Sequence, residues 1–401
     1  MLTSVFPRWP GDATPPFVQN LCELLARDGV EVMVLAPHSR GSAFSELWNA
    51  VLVKRHVYFW PLALQKLCYE GGMLVNFKER PWSKLLLPFF FLSQLVAAFY
   101  FCFRFKPDLI HSHSLLPQGF TGVIVSRLLG LPHVTTSHGN DVFGLKANGF
   151  MGMLKRYSLK HAGATTVNSS ATREAVLALG ATADRVHLVP AVANLGRVDP
   201  NVVNSIEKKY GQVPKVLFVG RFIEEKGVLD LLRAFASIHS QIAGAECFFV
   251  GDGPLRYEME ALAADLGIVK SVDLVGWQSG DTVASWMAAA DVLVVPSKPV
   301  GTWQEAQGLV VIEAMSVGTP VIASRIGGIP DMVEDGVTGR LFPAGDTERL
   351  GALIVEIFTN NKQRARMTAA ALTKVSERYS PDAVARLTEQ IYRDYIIYRT
   401  R

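Results

Sequence analysis

Cysteine is scarce in this chain. There are four in 401 residues (Cys22, Cys68, Cys102 and Cys247), far apart and with no C-x-x-C pair. That pattern argues against a disulfide framework or a cysteine-built zinc site and fits a reducing compartment. Charge is also modest, with 19% charged residues and a formal balance of +4. No short-period repeat and no low-complexity stretch is present, and nucleic acid is not an expected partner. No signal peptide is expected either, because Met1-Leu2-Thr3 runs straight into Phe6-Pro7-Arg8-Trp9.

What is present is an ordinary globular composition with a slight apolar excess, 49% hydrophobic. The length exceeds one comfortable core and predicts two domains. Charge is unevenly spread between the halves. Up to Pro190 there are 18 Lys and Arg against 11 Asp and Glu, whereas the remainder is slightly acidic. A basic first half can attract an anionic acceptor or an acidic membrane surface; the plainer reading is a solvated face.

Long apolar runs are absent except for one. Residues 85–103, LLLPFFFLSQLVAAFYFCF, carry no charge and are flanked by Lys84 and Arg104. The length just suffices to span a bilayer. Pro88, Ser93 and Gln94 interrupt the run, and it feeds directly into KPDLIHSHS, which reads as a strand. The expected form is a buried domain helix, with an interfacial anchor and peripheral membrane contact as the alternative to a span.

Elsewhere, short apolar runs alternate with amphipathic stretches. EVMVLAP, DLIHSHS, PHVTTSHG and GATTVNSS read as strands, with helices such as FVQNLCELLARDG and ATREAVLALG between them. The pattern lapses over Pro190 to Pro214, the expected domain boundary, then restarts with KVLFVG, ECFFVG, VDLVG, DVLVVPS and PVIAS. Two doubly wound α/β halves are predicted, each a parallel sheet covered on both faces, with ligands at the carboxyl ends of strands in the crevice between domains.

Reactive residues cluster at those strand ends. After KVLFVG come Gly220-Arg221 and then Lys226-Gly227, followed by a helix. A guanidinium fork, an ammonium and a helix amino terminus all favour phosphate oxygens; the alternative is a surface loop whose cations pair with Glu224 and Glu225. VGDGPLRYEME lacks the third glycine of a dinucleotide fingerprint and reads as a tight structural turn. Glu305 and Glu313 are eight steps apart, which would leave them about 80° apart on a single helix. The better picture puts Glu305 in a loop, Gly308-Leu309 at a helix start and Glu313 within that helix, inside the apolar run LVVIEAM. A carboxylate there needs a partner, and the hydroxyls of a nucleotide sugar are suitable donors. In the first half, His111 and His113 end one strand and His138-Gly139-Asn140-Asp141 leaves the next. Alternation puts His111 and His113 on one face, but no third metal ligand is evident.

Taken together, these blocks resemble family 4 glycosyltransferases of the GT-B architecture, a group of retaining, nucleotide-sugar-dependent enzymes. The resemblance covers nearly the whole chain. Its carriers are G-R-x-x-x-x-K-G (Gly220 to Gly227), V-G-x-G-P (Val250 to Pro254), E-x7-E (Glu305 to Glu313) and A-x-G-x-P-V-I-A-S (Ala314 to Ser324). It implies two Rossmann-like domains facing a central cleft. Residues 1–195 would form the acceptor-side domain, with a C-terminal helix at about 383–401 crossing back onto it, and 196–382 the nucleotide-sugar domain. It further implies that Arg221 and Lys226 hold the diphosphate, that Glu313 binds the ribose and that Glu305 binds the transferred sugar. The amides of Gly308 and Leu309 would meet the phosphate or sugar. His138 matches the family's H-G-x-D histidine, and Asp141, Gly11 and Asp12 fall on the acceptor or sugar side. Two blocks depart from the pattern. Pro10-Gly11-Asp12-Ala13-Thr14-Pro15-Pro16 replaces a Gly-Gly loop, and Pro190-Ala191-Val192-Ala193-Asn194 replaces P-N-G-V-D, so no role is carried over from that second block.

The implied activity is transfer of a hexose-type sugar from a UDP or GDP donor to a carbohydrate or lipid-linked acceptor hydroxyl, with retention, in cell-surface polysaccharide or glycolipid assembly. No metal and no other cofactor is expected, since Arg221 and Lys226 supply the positive charge. The expected location is the cytoplasm, including the inner face of the membrane. A nucleotide-sugar epimerase of the same architecture and a non-catalytic nucleotide-sugar-binding protein are the alternatives.

Overall fold

The computed structural model describes residues 1–12, 14–144 and 148–400. Ala13, within the loop that departs from the family pattern, and Arg401, the last residue of the expected crossing helix, lie outside that range. The chain divides into two compact units, one of Met1–Val192 with Pro381–Arg401 and one of Ala193–Ser380. The sequence placed these divisions at 195 and 382.

In the first unit the strands are β1 (Met33–Pro37), β2 (Ser45–Trp48), β3 (Val51–His56), β4 (Ile110–His113), β5 (His133–Ser137), β6 (Ala164–Val167) and β7 (Val186–Leu188). β1 pairs with β3 in parallel, and β2 closes that edge as an antiparallel hairpin with β3. β4 to β7 are parallel and pair in sequence order. Leu2 joins the two groups by bridging Leu35 of β1 and Ser112 of β4. The terminal helix Pro381–Thr400 belongs to this unit: Arg27 at the end of the helix Phe17–Arg27 pairs with Asp382 at 2.6 Å.

The second unit contains β8 (Lys215–Val219), β9 (Glu246–Val250), β10 (Val272–Gly276), β11 (Val292–Val295), β12 (Val321–Ser324) and β13 (Arg340–Phe342). They form one sheet ordered β10-β9-β8-β11-β12-β13, parallel throughout. Alternation explains its two covers, because successive side chains of a strand point to opposite faces. Val216, Phe218, Cys247 and Phe249 join the core under the helix Val228–Ile238. Their neighbours Leu217, Phe248 and Val250 join a separate core with Val311, Ile312 and Met315 of the helix Leu309–Ser316.

The apolar segment 85–103 runs from the end of the 3-10 turn Pro81–Leu86 through most of the helix Leu87–Phe105, and here the expectation of a buried helix needs correction. Only Phe90, Gln94, Ala98 and Cys102 are buried, one stripe at steps of four. Leu85, Phe89, Leu92, Val96, Phe99 and Phe103 are exposed. Hydrophobic composition alone could not distinguish a helix sunk in a core from one resting on it.

Candidate active site

In the second unit the chain leaves β8 toward β9 on one side, and β11 lies on the other. Strand order reverses at this point, which in open parallel sheets is where ligands bind at the carboxyl ends. Arg221 and Lys226 follow β8, and Ser297 and Glu305 follow β11, so both sets of candidates flank the reversal.

Two glycines bring these loops into contact. Gly227 has φ +66°, and a Cβ there would lie 1.9 Å from the carbonyl oxygen of Pro296. Gly327 has φ +54°, and its Cβ would lie 1.9 Å from the carbonyl oxygen of Glu305. Only glycine fits such close backbone approaches. Lys226 Nζ then donates to Glu305 Oε2 at 2.5 Å, and Ser297 Oγ donates to the same oxygen at 3.0 Å. Glu305 Oε1 has no hydrogen-bond partner among the described residues, although the residue is buried. Lys226 therefore pairs with Glu305 rather than with Glu224 or Glu225. Arg221 is exposed and makes no ion pair among the described residues. The V-G-D-G-P turn is structural, as expected. Gly251 and Gly253 press against the backbone of Gly220 and Phe222, and Phe222 N donates to Asp252 O at 2.9 Å.

Glu305 is in a loop, Gly308 caps the helix Leu309–Ser316 with φ +80°, and Glu313 falls in its second turn. Val311, Ile312, Ala314 and Met315 face the core, which leaves Glu313 on the partly exposed side. The protein around its carboxyl is nonetheless dense. Burial pushes its pKa up from 4.5 to about 7, and a hydrogen bond from the backbone N–H of Asn194 offsets only part of that rise. Sequence reasoning missed Asn194 and Ser297. Ser297 ends the DVLVVPS segment and was available as a strand-end hydroxyl. Asn194 acts through its backbone, which no side-chain pattern reveals.

In the first unit His138 follows β5, and its Nε2 lies 3.1 Å from His113 Nδ1. His111, on the same face, is held by Tyr392 Oη at 2.5 Å and Thr136 Oγ1 at 2.6 Å. A cavity of about 20 Å³, room for about one water, is lined by these three histidines together with Thr166, Asn168 and Thr388. Burial lowers the pKa of His138 from 6.5 to about 4 despite the opposing charge of Asp141, and also holds His111 and His113 well below 6.5. All three are neutral at pH 7. Among the described residues no group of three or more His, Cys, Asp or Glu is placed to hold a metal ion.

The two carboxylates expected on the acceptor or sugar side, Asp141 and Asp12, have hydrogen-bond partners within the protein. Asp141 is buried and accepts from Leu115 N at 2.7 Å and Ser137 Oγ at 2.8 Å. Asp12 accepts from Arg8 Nη2 at 2.7 Å, from Arg8 Nε at 2.9 Å and from Thr14 Oγ1 at 2.9 Å. Burial raises the Asp12 pKa, but the Arg8 hydrogen bonds outweigh it and hold the carboxyl well below its usual range. Both residues have the geometry of loop braces. Gly11, beside Asp12, is exposed at φ +80° with open space around it.

The order of the second sheet is that of a Rossmann nucleotide-binding domain, and the chain as a whole is built as two Rossmann-like α/β units, the GT-B class. The sequence profile of Glycosyltransferase Family 4 matches residues 16–197, and that of Glycosyl transferases group 1 matches residues 203–374. An uncharacterised glycosyltransferase of Methanocaldococcus jannaschii is 34% identical over 268 residues, 64% of this chain and 67% of that protein. The GDP-mannose-dependent alpha-(1-6)-phosphatidylinositol monomannoside mannosyltransferase of Mycobacterium tuberculosis is 29% identical over 65% of this chain and 69% of its own. Among solved structures, HepE of Anabaena in complex with UDP and glucose superposes with a TM-score of 0.73 at 18% identity, covering 98% of each chain. The chain belongs to the family 4, group 1 glycosyltransferases.

Proposed function

We propose that this glycosyltransferase transfers a hexose-type sugar, with retention of anomeric configuration, from a nucleoside diphosphate to an acceptor hydroxyl. The donor nucleotide is UDP or GDP, and the product belongs to a cell-surface polysaccharide or glycolipid. The carrying observation is the Lys226–Glu305 pair at the strand-order reversal of the second sheet, with an exposed Arg221 in the same loop after β8 that makes no ion pair among the described residues. Arg221 and Lys226 grip the diphosphate and offset the negative charge that grows on it as the glycosidic bond breaks. Glu305 keeps one oxygen on Lys226 and Ser297 and offers the other to the sugar hydroxyls. The first amides of the helix Leu309–Ser316, at Gly308 and Leu309, have no carbonyl to bond within the helix and meet phosphate or sugar. Glu313 accepts from the ribose. His138 serves the acceptor side, with Gly11 in the neighbouring loop, while Asp12 and Asp141 hold their loops in shape. No metal is needed for charge neutralisation. Four buried, unpaired cysteines suit work in the cytoplasm.

The nucleotide assignment draws on the GDP-mannose named for the mycobacterial relative and the UDP bound to the Anabaena structure. The test is a screen of UDP-, GDP- and ADP-sugars, with proton NMR of the product's anomeric signal. One UDP- or GDP-sugar is expected to react, with its anomeric configuration kept. Arg221→Ala and Lys226→Ala should each lower kcat by about 10²–10³-fold. Near-full activity of Arg221→Ala would refute the electrostatic role. A donor epimerised without acceptor would show an epimerase instead.

A further inference from the structure

We propose that the outward face of the helix Leu87–Phe105 docks the first unit flat onto an anionic lipid surface. Leu85, Phe89, Leu92, Val96, Phe99 and Phe103 recur at steps of three and four, so they form one continuous stripe roughly 28 Å long. The stripe widens at both ends. Leu128 of the helix Phe120–Leu129 closes a shallow groove with Val96, Phe99 and Phe103. At the other end Phe59 packs on Phe89 at 5.3 Å, and Trp60 beside it is 77% exposed. An apolar patch this large on one unit marks an interaction site.

Charge identifies the partner. The helical segments Pro81–Phe105, Phe120–Leu129 and Gly149–His161 contain no Asp or Glu. From residue 80 to 173 the only acids are Asp108 and Asp141, and Asp141 is buried. Lys84, Arg104, Lys106, Arg127, Arg156 and Lys160 are exposed around and between these helices. Apolar side chains rimmed by six exposed cations, with Asp108 the one exposed acid between residues 80 and 173, suit entry into the acyl boundary, with ammonium and guanidinium groups at lipid phosphates. A second copy of the same face is disfavoured, because a two-fold contact would bring two basic rims together with only Asp108 on each to set against six cations.

The helix lies on the surface rather than crossing it. Its inner stripe is tied into the unit, with Thr121 Oγ1 donating to Gln94 Oε1 at 3.1 Å. β3 before it and β4 after it belong to one sheet, joined through β1 and Leu2. A span would tear that sheet apart.

The test uses the whole chain without donor or acceptor, so it is independent of the glycosyl-transfer reading. Cosedimentation is compared for vesicles of phosphatidylcholine and of phosphatidylcholine with phosphatidylglycerol. Binding to the anionic vesicles should be at least ~10-fold tighter and fall with added salt. Leu92→Glu with Phe99→Glu, both at exposed positions, should weaken it ~10-fold or more while leaving thermal unfolding unchanged. Because the four native cysteines are buried, Val96→Cys can be labelled selectively with a polarity-sensitive dye, whose emission should shift to the blue on anionic vesicles. The proposal is overturned if the double variant pellets like the native protein or if the dye does not shift. It is equally overturned if both vesicles bind alike, or if sedimentation finds a dimer that the double variant dissolves.

Discussion

Ionising Glu313 costs the folded protein roughly 3 kcal/mol, because burial has raised its carboxyl from 4.5 to about 7. The cost is absent below pH 4.5, where folded and unfolded chains are both protonated. It grows through that window and is complete above pH 7. A ribose whose hydroxyls donate to the carboxylate would relieve it, so nucleotide binding should pull the pKa down and release a proton. Nucleotide affinity is expected to rise about 10-fold between pH 6 and 8 and to be flat in Glu313→Gln, read by titration calorimetry in two buffers of different ionisation enthalpy. A flat profile for the native protein would remove Glu313 from the nucleotide site. The carboxylate was conspicuous in the sequence because everything around it is apolar. Its protein partner was not, since the Asn194 amide arrives from a distant segment. The family resemblance placed Asp12 and Asp141 on the acceptor or sugar side. The structure shows their oxygens already engaged, a distinction that depends on neighbours rather than on position in the chain.

Elements with a full period were readable: the strands β1, β4 to β6, β8 to β12 and the amphipathic helices between them. The hairpin β2–β3, the short strands β7 and β13 and the helices Pro200–Tyr210, Thr347–Thr359 and Asn361–Lys374 were not identified. β7 and β13 are three residues each and carry too little alternation to stand out. The hairpin turn shows what pattern reading misses. Asn49 and Ala50 hold φ of +46° and +68°, and alanine is strained there where glycine is not. Ala50→Gly should therefore stabilise the first unit by about 1 kcal/mol, measured as a rise in its denaturant midpoint with unchanged slope. The helix Leu87–Phe105 carries the opposite lesson: its existence was plain, but which of its faces lay free was not.

Across the molecule the two units should respond to acid in opposite ways. Burial holds His56 and His133 at about 3 and His138 at about 4, with His111 and His113 also well below 6.5. All five lie in the first unit. Above pH 6.5 they are neutral in both folded and unfolded chains. As pH falls below 6.5 only the unfolded chain takes up protons, so stability is lost toward pH 4. At pH 5 a single histidine such as His138 contributes about 2 kcal/mol of that loss. Glu313 in the second unit changes in the other sense. Calorimetry at pH 7.5 and pH 5 should show the first unit's transition falling more than the second's. His133→Gln should lessen that fall, and equal shifts of both transitions would contradict this account.

The sequence by itself determined the two doubly wound units, the strand-end positions of Arg221, Lys226, Glu305 and His138, and the family. Periodicity and turn residues act over a few neighbours and therefore survive in a linear reading. Only the tertiary structure decided that Lys226 and Glu305 share a proton-donor contact, that Asn194 reaches Glu313, that Asp12 and Asp141 brace loops, and that one greasy helix keeps a face uncovered. The Lys226–Glu305 and Asn194–Glu313 contacts join residues far apart in the chain, the first of them where Gly227 and Gly327 let the loop backbones approach closely, and composition does not encode such meetings.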